Sequence, residues 1–385
     1  MQSVRYNHTV ISKSEPCPCG SGELYRACCL RRKDMEIPRE RMEENPGFLN
    51  HFILSRLTTN NLAVCLHPNQ SECQGAIKKA HALQNNRILS KIDVGNHVLV
   101  AKQKVDINGV TMLMERESRN KATTFTGFCD KHDTEVFLDI ERGDYTGTQK
   151  QNFLFAYRAF AQQFHKTQVA MATHRQLAHE RPSLLRESEE FVMLYRNRQL
   201  EVKDMDEYKA IFDEALLHDK YETIETLNFE LPTECKFAIC AAFALERDVL
   251  GHQLNDVTSF EDERLKSVFI TVFPAENKTH ILFSWLKEED GFFSKYKEQL
   301  IKLSHEQLQI YLNNLIPLYT ENIVMSPLLW DKLTPFSQRK FMRLLTANFP
   351  RMDATMEDMI ESMNELDKVR REPLTKPGFD LFKQI

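Results

Sequence analysis

The chain has no apolar run approaching the roughly 20 residues that a membrane-spanning helix needs. Its polar N-terminus also lacks the apolar core of a signal peptide. Both absences lead to the expectation of a cytoplasmic protein without a membrane partner, whose thiols stay reduced. There is no Gly-rich phosphate loop, no Gly-x-Ser-x-Gly elbow and no His-Glu-x-x-His. Internal repeats and heptad arrays are missing too. So is a basic surplus. Lys and Arg total 50 against 55 Asp and Glu, a formal net charge of −5, so any nucleic-acid surface must be a local patch.

What is present describes an ordinary globular protein. The 385 residues are 42% apolar and 27% charged, enough for two or three domains with a large core. Seven of the nine cysteines lie before residue 130, and that clustering favours metal binding over disulfides.

The first such cluster is compact. Pro16-Cys-Pro-Cys-Gly-Ser-Gly22 is followed by Leu24-Tyr-Arg-Ala-Cys28-Cys29. Cys17 and Cys19 fall on a turn rich in Gly and Pro, which lets both sulfurs point inward without strain. Cys28 and Cys29 supply two more thiolates from the end of a short helical turn, completing a set suited to tetrahedral Zn2+. So small a segment has no core of its own, so the metal provides most of its folding energy. Arg26 and the run Arg31-Arg32-Lys33 add a small basic face, equally readable as a solvated tail.

Residues 16–30 resemble the SEC-C zinc motif, found at the C-terminal end of the SecA translocation ATPase. Glu23 stands where the motif usually has a basic residue, without touching the four ligands. The resemblance implies a zinc knuckle that docks on another protein or a ribosome-like surface, and no catalytic activity. The layout of the whole chain is similar to bacterial SEC-C-bearing proteins.

A second ligand set is spread more widely. Cys65 and Cys73 flank a Pro/Asn/Ser turn, and Cys129-x-x-His132 follows at a distance; the four are a second expected zinc set. The interval holds an expected hairpin, His97 to Ala101 and Val110 to Met114, joined across Asp106 to Gly109. Residues 75–92 read as a helix, with Ile77, His81, Gln84, Ile88 and Ile92 recurring at steps of three or four. His81 on that stripe is a zinc ligand, a general base beside a metal, or a satisfied core histidine. Asp133 reads as the N-cap of a short helix.

This order of parts, a cysteine turn, a histidine, a hairpin and Cys-x-x-His, resembles a treble-clef or HNH (His-Me finger) nuclease domain. That resemblance implies His81 as the base and Asp133 or His132 as ligand to a catalytic Mg2+ or Mn2+. It departs from the family in its seven-residue cysteine spacing and in a His81 read on a helix rather than at a strand end.

Later stretches carry less chemistry. Phe153, Leu154, Tyr157, Ala161 and Phe164 recur as a buried helical seam, with Arg158, His165 and Lys166 facing elsewhere. Further helices are expected over 182–200, 205–218, 301–315, 330–333, 335–345 and 356–371, and a short one over 48–57. Lys236 to Phe243 reads as a buried strand. Val268 to Phe273 and His280 to Trp285 read as a hairpin, and Cys235 and Cys240 as buried apolar residues.

Together these readings give an α+β protein: a knuckle at 1–33, a linker at 34–60, a zinc-organised domain at 61–147, a helical bundle at 148–230 and an α+β domain at 231–385. The expected function is a zinc-binding adaptor for a protein partner or nucleic acid. The alternative is a metal-dependent nuclease, plausible in defence against foreign DNA.

Overall fold

The computed structural model describes residues 9–36, 62–106, 109–259, 263–346 and 356–385; the helix read over 48–57 lies outside them. The middle of the chain begins with β1 (Ile77–His81), β2 (His97–Asp106), β3 (Gly109–Ser118) and β4 (Thr124–Cys129). Two short helices follow, α1 (Asp130–Val136) and α2 (Leu138–Glu141). β2 and β3 form the expected hairpin, with His97 opposite Ser118 and Asp106 opposite Gly109.

Residues 75–92 are not a helix. Ile77–His81 is a strand paired antiparallel to β4, with Ile77 opposite Cys129 and His81 opposite Thr124. The three-and-four periodicity holds only as burial: Ile88, Leu89 and Ile92 are buried, but on a turn and a short 3-10 segment. Backbone pairing with β4 satisfies the N–H and C=O groups that a helix would have bonded locally. Gly75 precedes the strand at φ +75°, and a Cβ there would meet Asp130 Cβ at 2.8 Å, so this close turn requires glycine.

Next come α3 (Gln149–Glu180), α4 (Leu184–Glu187) and α5 (Glu189–Leu217). α3 has 32 residues, an axis of about 48 Å. Thr148 caps it by accepting from the Gln151 N–H. The expected seam is buried, but so are Arg158 and His165, which the spacing placed on an outer face. The helix is enclosed on several sides, so no single stripe defines its core face. The two helices read over 182–200 and 205–218 are largely one. No Gly or Pro interrupts 189–217, and Val192, Tyr195, Met205, Tyr208, Phe212 and Ala215 are all buried along it.

The remaining elements are β5 (Ile224–Leu231), β6 (Phe237–Ala244), β7 (Ser267–Ala275), β8 (Lys278–Leu286), α6 (Asp290–Ile301), α7 (His305–Tyr319), β9 (Ile323–Met325), α8 (Pro327–Lys332), α9 (Pro335–Thr346) and α10 (Met356–Arg371). The helix read over 301–315 is replaced by α6 and α7. Ser304 starts α7 with a capping box closed by Gln307, and that box ends the preceding turn. β6 and the β7–β8 hairpin lie where the apolar runs placed them.

Seven strands form one antiparallel sheet in the order β3-β2-β9-β6-β7-β8-β5. The β2–β3 hairpin joins it through β9, where Leu99 faces Met325. Alternation along β6 sends Ala238, Cys240 and Ala242 to the core shared with α3, and Phe237 and Ile239 to the core under α6, α7 and α9. Helices therefore cover both faces, which is why β6 reads as a continuous apolar run. Cys235 and Cys240 are fully buried, and desolvation pushes their thiols up to about 11 and about 12.

Phe160 is the joint between α3 and this sheet. Its ring lies 4.6 Å from Phe212 and 6.5 Å from Phe269, with no exposed surface. Phe160→Ala is expected to cost about 3–5 kcal/mol in urea unfolding; a loss under about 1 kcal/mol would show that the joint lies elsewhere. Acid is expected to destabilise the fold as well. Burial lowers the pKa of His165, His174 and His280 below the ordinary histidine value. The unfolded chain therefore takes up protons first, and stability is lost as pH falls from about 6.5 through the folded values. Denaturation midpoints that stay flat between pH 7 and 5 would contradict this.

Candidate metal centres

A tetrahedron with Zn–S bonds of about 2.3 Å has sulfur–sulfur edges of about 3.8 Å. In the N-terminal cluster Cys19 Sγ lies 3.4 Å from Cys17 Sγ and 3.6 Å from Cys28 Sγ, and Cys28 lies 4.0 Å from Cys29. Local backbone geometry builds the site. Cys17 N–H donates to the Glu23 carbonyl and Gly20 N–H to the Cys17 carbonyl, while Gly20 and Gly22 take positive φ values that turn the chain back. Burial raises the Cys19 thiol, but hydrogen bonds from Ser21 and from the neighbouring sulfurs outweigh it and bring the group down to about 6. Burial and the adjacent sulfurs push Cys29 strongly upward instead. Four thiolates this close repel one another, and a divalent cation removes that penalty.

The knuckle is seated on the protein itself. Ile11, Cys17, Tyr25, Cys28 and Cys29 share a small core with Met171, Ala178, Leu185, Val192 and Tyr195 of α3, α4 and α5. Cys29 Sγ lies 3.5 Å from the Ala178 carbonyl, and Arg186 donates to the Cys29 carbonyl at 2.9 Å. Arg196, 3% exposed, holds Glu15 at 2.7 Å.

The central cluster brings together the other expected ligands. His132 Nδ1 lies 3.4 Å from Cys65 Sγ, 3.7 Å from Cys73 Sγ and 3.3 Å from Cys129 Sγ. All four donor atoms lie within 4.8 Å of one another. Cys129 ends β4 and His132 sits in the first turn of α1, so the strand-to-helix junction presents both donors to one point. Val64 and Leu66 N–H donate to the Thr126 and Gly127 carbonyls, which fixes Cys65 beside β4. Burial lowers the His132 pKa, keeping the imidazole neutral, the form a metal requires. Its Nε2 is buried without a hydrogen-bond partner, and the ring stacks on His67 at 3.8 Å. A metal on Nδ1 would hold the ring in this position, where its other nitrogen makes no hydrogen bond.

His81 and Asp133 occupy neither cluster. His81 is the last residue of β1, and its Nε2 donates to the Arg119 carbonyl at 3.2 Å; desolvation lowers its pKa. Among the described residues it joins no four-donor set, and it stands on a strand end instead of a helix. Asp133 lies inside α1, whose N-cap position is Cys129, so Asp133 does not start that helix. Desolvation raises its pKa although Arg158 opposes it. Arg158, 3% exposed, pairs with Glu141, lies 3.8 Å from Asp133 and covers the Phe137 ring at 3.9 Å. Sequence reasoning missed Glu141 and misplaced Arg158. A basic residue directly after the buried Tyr157 was the available signal.

Helices packed with antiparallel sheets make this an α+β protein, and its two four-donor Cys/His sets carry the chemistry of a zinc-binding protein. Residues 14–31 match the SEC-C motif, and that match covers the first of the two ligand sets. No curated protein and no solved structure gives a match. Among the described residues no helix is long and apolar enough to cross a membrane.

Elemental analysis of the fully reduced protein is expected to find two zinc ions per chain; one or none would remove the central site. Cys129→Ser is expected to release one ion and lower the melting temperature more than Cys28→Ser does, because Cys129 joins β4 to α1. Structural zinc contributes on the order of 10 kcal/mol in small modules. Equal melting temperatures would show that the central site does not hold the fold.

Proposed function

We propose that the protein is a non-catalytic adaptor, held in shape by two structural zinc ions, that receives a polypeptide partner. The observation that carries this reading is that each cluster supplies four protein donors. A full tetrahedral shell marks structural zinc, whereas catalytic zinc keeps a position open for water or substrate. A groove between α3, α5 and the sheet supports the choice of partner. Its volume of about 1490 Å³ exceeds the roughly 300–1,000 Å³ of small-molecule sites. Its cations are largely neutralised in place: Lys102 by Glu117, Lys166 by Glu321, Arg264 by Glu289 and Lys266 by Glu263. Phosphate recognition needs cations left available to the ligand, so a protein segment suits this surface better than nucleic acid.

A photo-cross-linking side chain at Asn197, on the groove wall, is expected to capture one discrete polypeptide in cells, and the same probe at Leu328, outside the groove, none. Nucleic-acid adducts, or equal capture at both positions, would overturn the reading.

A nuclease is the second reading, favoured by one observation. β1, β4 and α1 form a strand-strand-helix unit with His81 at the end of the first strand, and the Arg119 carbonyl holds the proton on Nε2, leaving Nδ1 as the base. Against it, His81, Asp133 and Glu141 form no third ligand group among the described residues. If His81 is a general base, His81→Ala should cut Mg2+- or Mn2+-dependent cleavage of DNA or RNA by roughly 10²–10⁴-fold with zinc content unchanged. Absence of cleavage by the wild-type protein would leave the adaptor reading in place.

A further inference from the structure

The geometry points to Cys73 as an oxidation site through which peroxide releases the central zinc and opens that part of the fold. The inference rests on the zinc reading of the central cluster. Three of its ligands are protected: Cys65 is 5% exposed, Cys129 1% and His132 2%. Cys73 alone is exposed. It follows the 3-10 turn Gln70–Glu72, none of whose residues is buried, so this sulfur reaches the metal position from the solvent side. Its disulfide partners are already in place, because the sulfurs of Cys65 and Cys129 both lie within 4.8 Å of it. In the N-terminal cluster Cys17, Cys28 and Cys29 are buried and Cys19 is only partly exposed. The two sites therefore differ in access: only the central one has a ligand sulfur on an exposed residue.

The chemistry is balanced by one molecule of hydrogen peroxide. The Cys73 thiolate attacks a peroxide oxygen; an S–O bond forms, the O–O bond breaks, and the departing hydroxide takes a proton to become water. The thiolate of Cys65 or Cys129 then attacks the sulfenic sulfur. An S–S bond forms, the S–O bond breaks, and the second oxygen leaves as water after protonation. Two thiolates have lost two electrons to the peroxide, and zinc keeps one sulfur and His132. With Cys65 and Cys129 no longer drawn to a common ion, the junction between β4 and α1 keeps only the backbone bonds of Val64 and Leu66 as its tie to the 64–66 segment.

The test uses the full chain, shown beforehand to carry two zinc ions, and one equivalent of hydrogen peroxide. Zinc release is followed with a chromogenic chelator, and disulfides are mapped by mass spectrometry of unreduced peptides. One zinc ion is expected to leave, with Cys73 linked to Cys65 or Cys129, and a dithiol plus zinc should restore the starting state. Cys73→His keeps four donors and is expected to release zinc at least tenfold more slowly. Disulfides confined to Cys17, Cys19, Cys28 and Cys29, or equal release from wild type and Cys73→His, would overturn the inference. A preparation with fewer than two zinc ions would instead remove the central zinc reading itself. A two-zinc protein that withstands peroxide defeats only the oxidation site.

Discussion

The rest of the structure depends on the burial of α3. Its Tyr157 stacks with Phe137 at 5.9 Å and meets Phe128 edge-on, which seats the β4–α1 unit of the central metal cluster. One turn on, Phe160 faces the sheet and α5. Near its C-terminus, Ala178 packs against the knuckle and its carbonyl meets Cys29. One rod thus receives both metal clusters and the sheet. A helix in that position must be apolar on several faces, and it draws its stability from tertiary packing more than from propensity.

Packing around this helix also buries charged and polar groups, and several of them are met by a partner from another element. Arg158 is met by Glu141, and Arg196 by Glu15 of the knuckle. His165 Nε2 donates to the Leu62 carbonyl at 2.6 Å. Glu289, raised by desolvation, is bonded by Tyr208 and Arg264. Removing one member of such a pair strands the other in a dry site, the costliest way to break it. These pairs link segments far apart in the chain, so they specify how the layers sit on each other as much as how strongly they hold.

The knuckle illustrates how context alters a portable motif. A segment of this size gains its fold from metal, and in isolation all its faces would be free. Here one face is taken up by α3, α4 and α5, with Arg186 bonding the Cys29 carbonyl. The remaining surface carries Arg26, Arg31 and Lys33 outward. The motif therefore serves as part of the core on one side and as surface on the other.

Much of this was legible from residue order because it is local. The four N-terminal thiols, the β2–β3 and β7–β8 hairpins, β6, and the extent of α10 follow from turn residues, donor spacing and period-two alternation within a few residues. The central ligands Cys65, Cys73, Cys129 and His132 were readable from residue type alone, since few side chains bind zinc. What tertiary structure decided is where local signals were evenly matched. Ile77 to His81 carries a helical stripe, yet it pairs with β4, whose backbone satisfies the groups a helix would have bonded locally. Asp133 resembles a cap in sequence, yet the cap position falls at Cys129, four residues earlier. Arg158 looks like a surface charge until Glu141, 17 residues away, supplies a counter-charge to the buried guanidinium. Spacing determines which side chains can share a face of one element; only packing between elements determines which of them meet.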